Sequence, residues 1–324
     1  MKPFGGKDCA LVAREKPTAT TVAEVSFTKA RYPHRIPTLG LSCFARLLLD
    51  QTIKPSSIVK YLDHYVIGQD EAKKTVAVAV YSHFRKIAHL RRTDTPIVKS
   101  NVLLIGSSGT GKTLLCNTLS TFLGVPFVTA EATSLAQTRY VNEEIEAILQ
   151  RLVDKAEGDI ARAQNGIVFI DEIDKLKAAG GETRSTSGES VQHALLKIMD
   201  RLNSRVKPTD LFTFGLIPEF TGRLPVVANF QDLSRKMLVR IMTEPKNSIY
   251  SQFREIFRNE NVELTVSPLV FEQIAEIAFE YKTGARSLRG IFEELITPVL
   301  YIVPDKPEIS KVAIVSMFSE PTYS

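Results

Sequence analysis

Asn101-Val-Leu-Leu-Ile-Gly-Ser-Ser-Gly-Thr-Gly-Lys-Thr113 is the stretch from which the rest of the chain can be read. Val102 to Ile105 are four consecutive apolar residues, which predicts a short strand buried on both faces. Gly106, Gly109 and Gly111 let the backbone turn tightly with its N–H groups pointing inward. Lys112 and Thr113 then open a helix that is apolar through Leu114, Leu115, Leu119 and Phe122. Gly-x-x-x-x-Gly-Lys-Thr between a strand and a helix predicts a loop that cradles phosphates. The nucleotide contacts expected of it come from Ser107, Ser108, Gly109, Thr110, Gly111, Lys112, Thr113 and Leu114. Lys112 is expected to reach the β- and γ-phosphates of ATP, and the Thr113 hydroxyl to ligate Mg²⁺. A glycine-rich turn with a chance Lys-Thr would not carry both the strand and the helix.

Composition bounds the remainder. A chain of 324 residues with 44% apolar and 24% charged residues holds a large core and suits two domains. No apolar run reaches about 18 residues, so no membrane partner is expected. A net charge of +5 is mildly basic, and no long basic stripe interleaves with aromatics, so no nucleic-acid partner is expected either. Cys9, Cys43 and Cys116 are widely separated and odd in number, which suits a reducing compartment and excludes a four-cysteine zinc site in this chain. A cytoplasmic location is expected. The acid-poor, Lys/Arg-containing first residues resemble a transit peptide weakly, which leaves the mitochondrial matrix as the alternative.

Residues 1–51 show no sustained period and are expected to form a poorly ordered arm. From Lys54 a helix start appears, with Ile58, Leu62 and Tyr65 at helical spacing. Val66 and Ile67 precede Gly68 and a helix expected from Asp70 to about Lys86, and are candidates to sandwich an adenine ring. Gly124-Val125-Pro126 turns the chain into a strand from Phe127 to Thr129, and a helix follows with Ile145, Ile148, Leu149, Leu152 and Val153 on one face. Ile167 to Ile170 then predict a buried strand that ends in Asp171 and Glu172. In doubly wound sheets that edge holds the ligand. Asp171 is expected in the Mg²⁺ shell and Glu172 to orient and activate water. Lys177 to Ser187 read as a loop, Val191 to Met199 as a helix and Leu224 to Val227 as a strand. Beyond Asp232 the pattern is mostly helical, with a short strand from Val262 to Val266 set to pair with Val312 to Val315.

A phosphate loop, an Asp-Glu strand end, a Gly-x-Arg and a separate helical lobe together resemble an AAA+ ATPase. Four boxes are similar to the ClpX family of ring-forming unfoldases: 65–69, 166–175, 215–227 and 282–289. The resemblance covers roughly residues 52 to 316. It implies an α/β P-loop NTPase core with a parallel sheet over 52–230 and a smaller, mainly helical lobe over 231–324. It also implies ATP-dependent unfolding or remodelling of proteins by a ring, a hexamer in this family, formed by this chain alone or with a complete paralogue. Arg223 matches the finger that reaches the neighbouring subunit's nucleotide, and Arg286 matches a sensor of nucleotide state in the small lobe. Tyr140 and Val141 fall where the family grips unfolded polypeptide.

The family's zinc domain has no counterpart here. The family also has a long stretch before the Gly215 box, holding the central sheet strand with a polar sensor and the loop that docks the ClpP peptidase. Here a link of about ten residues, Asp200 to Thr209, replaces it. Docking on ClpP is therefore not expected. Without the central strand, a space of about 9.6 Å, twice the usual strand spacing, would part the phosphate-loop strand from the Asp171 strand. Either those strands close up and pair directly, or the domain is destabilised, and hydrolysis is expected to suffer more than binding. The alternative to an unfoldase is then a degenerate paralogue that binds ATP and regulates without unfolding.

Overall fold

The structure is a computed structural model; it describes residues 20–27, 53–90, 101–137, 141–173 and 226–324, with backbone alone at 20–27, 87–90, 135–137 and 141–145. Its larger unit is a five-stranded sheet with helices packed on it. The strands are β1 (Thr20–Phe27), β2 (Val102–Ser107), β3 (Phe127–Glu131), β4 (Ile167–Asp171) and β5 (Val226–Asn229), in the order β3-β4-β1-β2-β5. β3 pairs with β4, and β2 with β5, in parallel. β1 runs antiparallel to both β2 and β4 and lies between them.

That central strand corrects two expectations. Eight residues of the arm expected to be poorly ordered are a strand of the main sheet. The gap expected between β2 and β4 is neither closed by direct pairing nor left open, because β1 occupies it. Register explains the fit. Val25 lies opposite Val102 and Phe169, Ala23 opposite Leu104, and Phe27 opposite Ile167. Residues directly opposite share a sheet face, so Ala23, Val25 and Phe27 fall on the face of the main core, to which Val102, Leu104, Ile167 and Phe169 belong. Thr20, Glu24 and Ser26 alternate onto the other face.

Helices α1 (Pro55–Asp63) and α2 (Asp70–Leu90) join α3 (Lys112–Leu123) on this core through Ile58, Leu62, Val76, Val80, Leu115 and Leu119. Pro55 starts α1 at the position where a missing N–H costs nothing. Lys73 on α2 is 2% exposed and holds Asp63 at the end of α1 at 2.7 Å, which fixes the angle between the two helices. α3 ends at Gly124 in the left-handed region, whose N–H bonds back to Ser120 and Thr121. Beyond β3 come α4 (Ala132–Gln137), α5 (Val141–Lys155) and the short α6 (Ile160–Ala163), which lead into β4.

Core membership changes over three residues: Phe230 belongs to the sheet's core and Leu233 to a second one. That second unit holds α7 (Arg235–Thr243), α8 (Ile249–Asn259), α9 (Pro268–Glu280) and α10 (Arg286–Ile302), with a small sheet of β6 (Glu263–Val266), β7 (Lys311–Ile314) and β8 (Thr322–Tyr323). The expected pairing of the two short strands is present, β6 parallel to β7. Ser234, Ser248 and Ser267 cap α7, α8 and α9 through their hydroxyls. Phe253, Phe271 and Phe292 pack together at its centre, the last two stacked with centroids 6.1 Å apart.

Candidate nucleotide site

The phosphate loop leaves β2 at Ser107 and enters α3 at Lys112. Gly109 (φ 76°) and Gly111 (φ 98°) both stand in the left-handed region, and a side chain at either would be strained. Alternation of such residues turns successive N–H groups toward one concavity, which suits phosphate oxygens. The loop is also braced from within. The Thr110 hydroxyl donates to the Ser107 carbonyl at 2.8 Å, and Lys112 Nζ donates to the carbonyls of Gly106 and Ser107 at 2.8 and 2.9 Å. Lys112 is 5% exposed, so its ammonium is held inside the curl of the loop. Thr113 follows it in the first turn of α3, and Leu114 is on the exposed side of that helix.

Asp171 ends β4, one strand position removed from β2 with β1 between. Its Oδ1 accepts the Glu172 N–H at 2.9 Å. Glu172 itself has φ 57°, a conformation a glutamate seldom adopts and one met most often where geometry serves function. Asp171 is close enough to the first turns of α3 to act on Cys116. Burial pushes that thiol well up and the Asp171 carboxylate pushes it further. Cys116, wholly buried in the main core, is thus a packing residue and not a nucleophile.

Val66 and Ile67 are both buried at the α1–α2 junction. The same junction carries a residue that sequence reading missed. Gln69, 4% exposed with φ 60°, donates from Nε2 to the Gln231 carbonyl at 2.8 Å and, at 3.4 Å, to that of Thr110. Its Oε1 accepts the Gln231 N–H at 2.8 Å. One amide therefore joins the phosphate loop to the link between the two units. Asp232 adds a second tie by accepting from the Ser107 hydroxyl. No motif marks an amide of this kind; only the Gly-Gln at the end of the 65–69 box pointed near it.

The small lobe reaches the loop directly. The Ala285 N–H donates to the Gly109 carbonyl at 3.2 Å. A Cβ on Gly109 would collide with the Thr283 carbonyl, and one on Gly284 would come within 2.7 Å of the Ser108 carbonyl. Arg286 begins α10 immediately after this contact, exposed, beside the loop. The structure thus gathers Val66, Ile67, residues 107–114, Asp171, Glu172 and Arg286 around one edge of the sheet. Val141 is the first residue of α5. Arg223, Tyr140, the 177–187 loop and the 191–199 helix lie outside the described residues.

Comparison with known proteins agrees with this geometry. The model of the ATPase family associated with various cellular activities (AAA) matches residues 102–261. That of the C-terminal, D2-small domain of ClpB protein matches residues 233–316. The ATP-dependent Clp protease ATP-binding subunit ClpX of Bacteroides fragilis is 38% identical over 332 residues, covering 81% of this chain and 80% of the relative. The chain belongs to the ClpX family. The same-named subunit of Bacteroides thetaiotaomicron is 38% identical over 330 residues, with the same shares covered. In both cases the compared length exceeds all 324 residues of this chain although only 81% take part, so each ClpX relative carries residues within the compared stretch that this chain lacks. Membership makes the chain an AAA+, ATP-binding, ClpX-like protein of the chaperone type, with an α/β core and a helical lobe. Among the described residues no helix is long and apolar enough to cross a membrane.

Proposed function

We propose that this chain binds ATP with Mg²⁺ at the edge formed by the ends of β2 and β4, and spends its hydrolysis on unfolding or remodelling other proteins as a subunit of a ring. The observation that carries this reading is the pairing of a fully formed phosphate loop with Asp171 and Glu172 across a single intervening strand. The donor chemistry fits: one hydroxyl, Thr113, and one carboxylate, Asp171, suit Mg²⁺, which keeps most of its shell for water and phosphate oxygens. Bound there, the ion would neutralise charge on the phosphates. Lys112 attracts the β- and γ-phosphates, Glu172 orients water, and Val66 and Ile67 flank the adenine. Arg286 senses the nucleotide from the small lobe. Arg223 serves the neighbouring subunit's site, and Tyr140 with Val141 meets unfolded polypeptide. The relatives are named as subunits of the Clp protease; this chain, without the docking stretch, is proposed to work apart from ClpP. The degenerate alternative drew its motive from the missing segment before the Gly215 box; β1 stands where that segment's strand would be, and the likeness to the ClpX subunits favours the unfoldase reading.

The test is equilibrium binding and turnover of ATP by the full chain. Lys112→Ala removes a charged donor worth about 1.5–3 kcal/mol, hence about 10–100-fold in affinity. Glu172→Gln should leave binding intact and abolish turnover. Unchanged affinity in the first variant, or unchanged turnover in the second, would overturn the assignment.

A further inference from the structure

Two successive carbonyls at the tip of the phosphate loop are taken by donors from outside it. The Gly109 carbonyl accepts the Ala285 N–H of the small lobe at 3.2 Å, and the Thr110 carbonyl accepts the Gln69 amide at 3.4 Å. Both peptide bonds are trans, so each carbonyl and the N–H of the following residue point opposite ways. A donor that draws on the Gly109 carbonyl therefore turns the Thr110 N–H to the other side of the loop. One that draws on the Thr110 carbonyl does the same for the Gly111 N–H. Backbone N–H groups are what a loop of this kind offers to phosphate oxygens.

Of these two donors only Gln69 is a side chain, and the fold constrains it closely. Gly68 and Gln69 both have left-handed backbones, φ 64° and 60°, and for a glutamine that conformation is strained. The amide is buried, and two bonds of 2.8 Å, to the Gln231 carbonyl and from the Gln231 N–H, fix its plane. One amide hydrogen then remains for Thr110. That bond is weak at 3.4 Å, but the two short ones set its direction. We propose that Gln69 is a positioning residue for phosphate, turning the Thr110–Gly111 peptide so that the Gly111 N–H faces a bound nucleotide. The proposal rests on the reading that the loop binds ATP. An N–H aimed in advance needs no reorientation when the anion arrives, and affinity gains by that saving.

Equilibrium binding to the full chain tests this by comparing ADP with adenosine, which has the same base and sugar and no phosphate. Gln69→Met keeps the length of the side chain and removes its amide. It should weaken ADP about 10-fold, the scale of one hydrogen bond to a charged group, and leave adenosine within about twofold. Gln69→Asn guards against a first variant that fails to fold. Asparagine tolerates the left-handed backbone, and its amide, one methylene shorter, falls short of the Thr110 carbonyl. It should melt with the unaltered chain and show the same loss for ADP alone. A merely structural role would weaken both ligands together, because Gln69 stands two residues from Ile67, proposed to flank the adenine. Unchanged ADP affinity in either variant, or equal losses for ADP and adenosine, overturns the proposal and leaves the nucleotide reading standing. An unaltered chain that binds no ADP overturns that reading, and this proposal with it.

Discussion

Gly109 shows how much one position in this site has to satisfy. Its φ of 76° disfavours any side chain, and the space where a Cβ would go is taken by the Thr283 carbonyl and, at 3.0 Å, the Ala285 nitrogen. Gly109→Ala should therefore cost about 1–3 kcal/mol through backbone strain and loss of the lobe contact. A thermal melt should show a lower Tm, and ATP affinity should fall with it; a melt identical to that of the unaltered chain would contradict the packing described. The glycine was legible in the sequence because its motif is a spacing of residue types with a known backbone consequence. Gln69 was not. Its partners, the Thr110 and Gln231 carbonyls, are backbone groups that any residue would present, so nothing in their identity betrays the contact. The left-handed turn at Glu172 was equally hidden, since a carboxylate at a strand end carries no mark of its φ.

Among the elements, the helix pair α1–α2 flanks Val66 and Ile67, the residues proposed to meet the adenine, and its geometry hangs on a buried ion. Lys73 meets Asp63 at 2.7 Å and Asp70 only at 3.9 Å. Asp63→Ala would leave a nearly inaccessible ammonium without its near partner, at a cost of about 1.5–3 kcal/mol. Denaturant unfolding should show the loss as a lower midpoint, with a smaller loss for Asp63→Asn, which keeps an acceptor. Most elements could be read ahead of the structure for a local reason. β4 announces itself by four apolar residues ending in two acids, and α9 by Ser267-Pro268 before an apolar period. β1 could not, because Thr20–Phe27 offers only a short alternation with Glu24 at its middle, set among residues that carry no neighbouring pattern. What makes it a strand lies in Val102–Ser107 and Ile167–Ile170, far along the chain, and tertiary pairing decided where local propensity was silent.

At the scale of the whole molecule, the two units meet through backbone contacts between the phosphate loop and 283–285 and through the amide bridge at Gln69. Nucleotide and inter-unit geometry are thereby joined, and the proposed role of Arg223 needs a boundary between subunits. Sedimentation with and without ATP should accordingly show assembly toward a hexameric mass in its presence, and a monomer under both conditions would remove the ring from the proposed function. The central strand has a different kind of consequence, in time. During synthesis the segment 20–27 emerges before either of its neighbours exists. Val25 waits unpaired until Val102 has been made and again until Phe169 has, and closing such distant pairs is slow. The sheet's middle thus cannot close until β4 has been made, and the two halves of the proposed nucleotide site take their spacing only when a strand from early in the chain finds its slot between two made long after it.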